Sequence, residues 1–297
     1  MSAPVEESEG LTEILPGTLW ALGDWLRMEA APVSWIPTGV EGWLPVQGYA
    51  LRSQDSWLMV DTGLGCHWPL IRHGVTVTSR GSRERRLITT RREQDCMNGI
   101  PALVGEFGLR EVLYAGVLNP LDFFEGVEEA EAAAQIEAHT GVVATRIAPG
   151  VVTAVGDLEL EVLRVELRLL ATNWFYERRT RTLFTSDAFA FLSRPTRGLS
   201  RLRAAGEPPM RAEEAARFLS TKMDWLVGVD PSPILADLDC IQAGWPADRL
   251  CPGFGLVIEG RAAVAEAFDG VRNALHLLGT HTRRAWAFPA GLDGVIG

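Results

Sequence analysis

One stretch of this chain sets short apolar runs between turn residues and a second alternates apolar and polar residues, both in the manner of β-strands, and each is closed by segments with helical spacing. The first runs through "TLWALGDW", "GYALRS" and "SWLMVDTGLG"; the second runs through "VVTAVGDLELEVLRVEL", with a turn at Gly156-Asp157, and "RTLFTSDAFAF". A sheet must bury one face, and helices that come after it in sequence can cover the other. Two such halves predict two sheets face to face with helices on both outer surfaces, a four-layer αββα sandwich of the α/β class. Within the first half the strand "RRLITT" leads into the helix "NGIPALVGEFGL", and "EVLYAG" into the alanine-rich helix "VEEAEAAAQIEAHTG". In the second half "RAEEAARFLSTKMDWLVG" and "GRAAVAEAFDGVRNALHLLG" read as helices on either side of the apolar segment "RLCPGFGLVIEG". A chain of 297 residues with 47% hydrophobic residues can bury a large core. Neither an internal repeat nor a long linker interrupts it, so residues 11–297 are expected to form a single domain behind a disordered N-terminus, residues 1–10.

A formal net charge of −10 disfavours broad attraction to nucleic acid or to an anionic membrane. No apolar run is long enough to span a bilayer, and "MSAPVEESEG" is acidic and polar rather than a leader. The chain therefore reads as cytoplasmic. Cys66, Cys96, Cys240 and Cys251 are scattered without a C-x-x-C pair, which fits reduced thiols rather than a disulfide framework or a zinc ribbon.

The chemistry-bearing residues concentrate in "LITTRREQDCMNGIP", where two carboxylates, a cysteine and an arginine pair come after an apolar strand. Cys96 reads either as a soft metal ligand, as a thiolate activated by the neighbouring arginines, or as a small buried side chain, and the lack of a nearby histidine or cysteine favours the last. Asp61 in "VDTGLG" reads as a turn former at a strand end. His67 beside Trp68 reads as a packed residue, and "GLG" and "GFG" are too short to argue for phosphate binding. The ten tryptophans, Trp43, Trp57 and Trp174 among them, are expected in the core, at a pocket or at an interface.

"GYALRSQDSWLMVDTGLG", "LITTRREQDCMNGIP", "TRTLFTSDAFAF" and "CPGFGLVIEG" stand in the order of four landmark segments of the metallo-β-lactamase fold. The chain resembles most the flavodiiron and oxygen-binding diiron branch, whose landmarks read H-x-E-x-D-H, "SDAFG" and "PSHG" and hold two iron atoms. By that resemblance the former metal-site positions are Arg91, Glu93, Asp95, Cys96, Arg168, Asp187 and Phe254. Arg91 falls at the first histidine, Cys96 at the second, Arg168 near the third and Phe254 at the last, while Glu93, Asp95 and Asp187 keep the carboxylates. The five histidines present, His67, His73, His139, His276 and His281, lie elsewhere.

A guanidinium stays protonated and offers no lone pair, so neither arginine can replace an imidazole as ligand. The resemblance therefore implies a degenerate site in which Arg91 and Arg168 pair with Glu93, Asp95 and Asp187 where metals would otherwise sit. A non-catalytic binding or assembly protein is the reading this supports, with no cofactor expected and no room for a flavodoxin domain or its FMN. Two alternatives remain open. Glu93, Asp95, Cys96 and Asp187 could hold one iron or zinc for hydrolysis or oxygen chemistry. Arg91 and Arg168 could instead clamp a small anion. Related standalone chains pair, which implies a homodimer; a protein partner or a small anionic ligand is the other partner class.

Overall fold

The computed structural model describes residues 7–8, 10–31, 33–121, 141–169, 171–204, 206–208 and 210–280. The expected alanine-rich helix, save Gly141, lies outside these residues, as do residues 1–6 and 9 of the expected disordered N-terminus. Glu7 and Ser8 are ordered as a short strand, β1, whose backbone pairs with the next strand.

The strands of the first sheet lie side by side in chain order. β1 (Glu7–Ser8), β2 (Leu11–Leu15), β3 (Leu19–Arg27), β4 (Trp43–Ser53) and β5 (Ser56–Val60) form an antiparallel meander, and β6 (Glu84–Thr89), β7 (Glu111–Tyr114) and β8 (Val143–Arg146) continue it in parallel. Helices α1 (Trp68–Thr78), α2 (Gln94–Met97) and α3 (Ile100–Phe107) occupy the crossovers between the parallel strands. Such crossovers are what parallel pairing requires.

In the second sheet the described strands run β13-β15-β14-β12-β11-β10-β9. They are β9 (Val152–Val155), β10 (Leu158–Leu163), β11 (Trp174–Glu177), β12 (Thr182–Ser186), β13 (Leu202–Ala204), β14 (Arg249–Pro252) and β15 (Val257–Glu259). β9 and β10 form the hairpin expected at Gly156-Asp157, with Gly156 at φ 60°, a conformation that glycine adopts without a Cβ clash. The helices of this half are α4 (Ala212–Lys222), α5 (Ser232–Gly244) and α6 (Arg261–Thr280). α1 and α5 were not expected. Each begins with a proline in its first turn, where the missing N–H costs nothing and the fixed φ suits a helix.

The alternation along the strands sorts side chains into three apolar layers. Tyr49, Leu51, Leu58, Val60 and Ile88 meet Leu160, Val162, Phe175 and Phe184 between the sheets. Their neighbours Ala50, Trp57 and Met59 point outward and are covered by Ile71 and Val75 of α1 and Ile100 and Leu103 of α3. On the other side Trp174, Leu183, Leu250 and Ile258 pack under Leu219, Leu238, Phe268 and Val271 of α4, α5 and α6. The expected order of helix, sheet, sheet and helix is therefore the observed one.

Candidate functional site

Asp61, Thr90 and Asp187 come directly after the C-terminal ends of β5, β6 and β12, and Gly253 comes after β14. In open sheets with parallel strands this is the edge where backbone leaves the sheet and functional side chains collect. Backbone geometry fixes the positions. Asp61 and Ser186 both take left-handed φ values near 54°, and the Asp61 carbonyl lies against Gly48 of β4, where a Cβ would stand only 2.1 Å from that oxygen. Gly48 is therefore the residue that lets Asp61 sit where it does.

Arg91 occupies the centre. Its side chain is 3% exposed, and all three guanidinium nitrogens are engaged. Nε lies 3.1 Å from Glu93 Oε2, Nη1 donates to Ser186 Oγ, and Nη2 meets both Asp95 Oδ2 and, at 3.3 Å, Asp187 Oδ1. Asp95 and Asp187, which stand 92 residues apart in the chain (187 − 95), thus share one nitrogen. Burial works against the Arg91 charge, but Asp187, Asp95 and Glu93 more than offset it and hold the proton well above the ordinary range.

A second cation completes the cluster, and it is not Arg168. Lys222, at the C-terminal end of α4, places Nζ 3.0 Å from Glu93 Oε2 and 3.6 Å from Asp187 Oδ1. Arg168 lies in the loop after β10, half-buried, and among the described residues makes no ion pair with Glu93, Asp95 or Asp187; its charge acts on Asp237 of α5. The expectation that Arg168 pairs with the site carboxylates is corrected accordingly. The segment "RVELRLLATNWF" contains no histidine to anchor a count back from Asp187, and an irregular loop there moves the side chain away. One signal could have found Lys222: it is the only lysine in the sequence, the other 27 of the 28 basic residues being arginine (28 − 1). With a side chain 11% exposed, Lys222 is expected to be shielded from amine-reactive reagents. Labelling under native conditions, read by mass spectrometry, should modify the α-amino group alone; rapid native labelling of Lys222 would place that side chain in solvent.

Burial, opposed by Arg91 and by hydrogen bonds from Thr90, raises the Asp61 carboxyl to about 6. Thr90 donates its N–H to Asp61 Oδ1 at 2.8 Å, and its hydroxyl bonds Oδ2 at 2.7 Å. Burial also raises Asp187, in spite of Arg91 and Lys222, whereas in Glu93 the two cations outweigh burial and lower it. Cys96 is 1% exposed, and burial pushes its thiol well up despite Arg91, so it is a protonated packing group beside Thr90 and Asp95 rather than an activated thiolate. Phe254 is buried against Trp35, with ring centroids 4.5 Å apart, and its backbone bridges to Val46. Gly253 beside it approaches Arg91 so closely that a Cβ would stand 3.7 Å from Nη1.

These residues do not fit a metal pair. The guanidinium stands between the carboxylates that would have to turn toward an ion, and among the described residues no three His, Cys, Asp or Glu side chains are grouped to hold one. His67 is buried away from the cluster, and burial lowers its pKa.

The sequence matches no family model and no curated protein. Solved structures do match. Rubredoxin oxygen:oxidoreductase from Desulfovibrio gigas superposes with a TM-score of 0.61 at 15% identity, over 89% of this chain and 61% of that one. A flavo di-iron protein variant from Thermotoga maritima gives 0.61 at 12%, over 88% and 60%. A metallo-β-lactamase from Pontibacter korlensis gives 0.52 at 13%, over 89% and 98%. The chain thus spans about three-fifths of the length of the first two neighbours and nearly all of the lactamase. Two sheets packed face to face between helices, with carboxylates gathered at one strand edge, are the metallo-β-lactamase fold, and this chain has it.

Proposed function

We propose that this protein is a non-catalytic binding or assembly protein in which Arg91 and Lys222 replace the metals of a degenerate site. The observation that carries the reading is the Arg91 guanidinium, buried and in ion-pair contact with Glu93, Asp95 and Asp187 at once. A fixed cation there neutralises the carboxylates, competes with any metal for them, and supplies neither a Lewis acid nor an electron. A cytoplasmic homodimer is the assembly proposed with it. The small-anion reading at this spot loses support, because Arg91 has no free edge and Arg168 does not reach it.

One observation favours the single-metal reading instead: neither carboxylate oxygen of Asp187, at 1% side-chain exposure, accepts a hydrogen bond. Elemental mass spectrometry on protein purified without chelator separates the two. The expected result is less than about 0.1 equivalent of iron or zinc per chain, since hard carboxylate oxygens already paired to guanidinium hold such ions weakly. One equivalent retained through dialysis, and lost in a Glu93→Ala, Asp187→Ala double variant, would replace the proposal with a metal-dependent one.

A further inference from the structure

The same loop leaves one cation unused. Glu93 and Asp95 both turn to Arg91, and Glu93 also to Lys222, so the acidic residues beside Arg92 are already engaged. Arg92 makes no ion pair or hydrogen bond among the described residues, and its Nε is buried without a partner. A buried donor left without an acceptor calls for an acceptor that the chain does not supply. Arg92 lines a cavity of about 30 Å³ beyond the C-terminal ends of β6 and β7, with Thr89, Tyr114, Leu118, Pro120 and Ala171 around it. Thr90 and Arg91 also line this cavity, so it adjoins the cluster around Asp187 on the side facing Arg92, and its position is where sheets with parallel strands take ligands.

We propose that this cavity binds the carboxylate head of a small organic acid. A guanidinium presents parallel N–H groups that match the two oxygens of a carboxylate. The enclosed space holds about two water-sized groups, which suits the two oxygens of a planar carboxylate better than the four of a tetrahedral phosphate. Leu118, 53% exposed, and Pro120 line the same cavity with apolar surface, so a short hydrocarbon tail running toward solvent fits better than a second charge. Arg91 borders the cavity but is paired to Glu93, Asp95 and Asp187, so the inference rests on Arg92 and uses neither Asp187 nor Lys222.

The test is calorimetric or NMR titration with acetate and propionate at constant ionic strength, with inorganic phosphate as the comparison anion. Saturable binding is expected, with propionate about fourfold tighter than acetate, the increment for one buried methylene. Arg92→Gln should weaken binding at least tenfold while leaving the thermal midpoint of the ligand-free protein close to wild type, because Arg92 has no partner to lose. If that variant misfolds, Ala171→Phe serves in its place: Ala171 is an exposed position that lines the cavity, and a ring there should abolish binding with Arg92 intact. Absence of saturation, equal binding of phosphate, or unchanged affinity in a folded Arg92→Gln or Ala171→Phe protein would overturn the assignment and leave the cavity to water.

Discussion

Replacing Arg91 by methionine is expected to lower folding stability by roughly 3–5 kcal/mol, the range seen when one partner of a buried charge cluster is removed. Methionine keeps much of the volume, so the loss reports charge rather than a cavity. Among the described residues Lys222 would remain as counter-charge to Glu93 and Asp187 and none would remain to Asp95, and the Asp187 side chain is 1% exposed. Urea unfolding midpoints give the measurement. Two comparisons make it specific. Asp187→Asn in the Arg91→Met background should recover part of the loss, because it removes an uncompensated charge, and Arg168→Ala alone should change stability by no more than about 0.5 kcal/mol. An Arg91→Met protein as stable as wild type would mean that the cluster is solvated and does not hold the fold.

Stability should rise, not fall, as the pH is lowered from about 7 to about 5. Asp61 titrates near 6 in the folded protein and near its ordinary 3.8 when unfolded, so between those values the folded state binds the extra proton. The contribution is therefore fully present below the unfolded value and is lost as pH rises through 6, and it is worth on the order of 3 kcal/mol in full. Asp187, raised by burial, acts in the same direction. Glu93 acts in the opposite one: its lowered pKa stabilises above the ordinary 4.5, and that contribution disappears as the pH falls below it. The two tendencies place the optimum near pH 5, at the acid edge of the usual range for folded proteins. Asp61→Asn keeps one acceptor for the Thr90 N–H and should flatten the slope between pH 5 and 7 while raising stability at pH 7. A wild-type midpoint that drops steadily from pH 7 to pH 5, or an Asn variant with an undiminished slope, would contradict this.

The layers of this fold were legible in the strand and helix spacing, and in the wholly apolar run Trp57, Leu58, Met59 and Val60 successive side chains go to opposite faces, both of them buried. Arg91, Glu93, Asp95 and Asp187 were legible as neighbours through the resemblance to the landmark segments of the flavodiiron branch. Lys222 was not, because it belongs to the far end of a helix whose packing angle no local pattern specifies; only its being the sole lysine marked it. Arg168 failed for the complementary reason, since a count carried through a loop loses its register within a few residues. The prolines that open α1 and α5 show that the same residue signals a break or a start depending on whether a helical apolar pattern begins just after it.

A metal ion stabilises a protein by mass action, so its contribution grows with the free concentration of the ion and vanishes when supply fails. Arg91 is tethered to the carboxylates by the chain itself. Its effective concentration at Glu93, Asp95 and Asp187 is set by covalent geometry and does not vary with growth medium or compartment. Under the proposed metal-free reading, the entropy of recruiting a counter-ion moves from each binding event to the single act of folding, and assembly at this strand edge needs no later loading step.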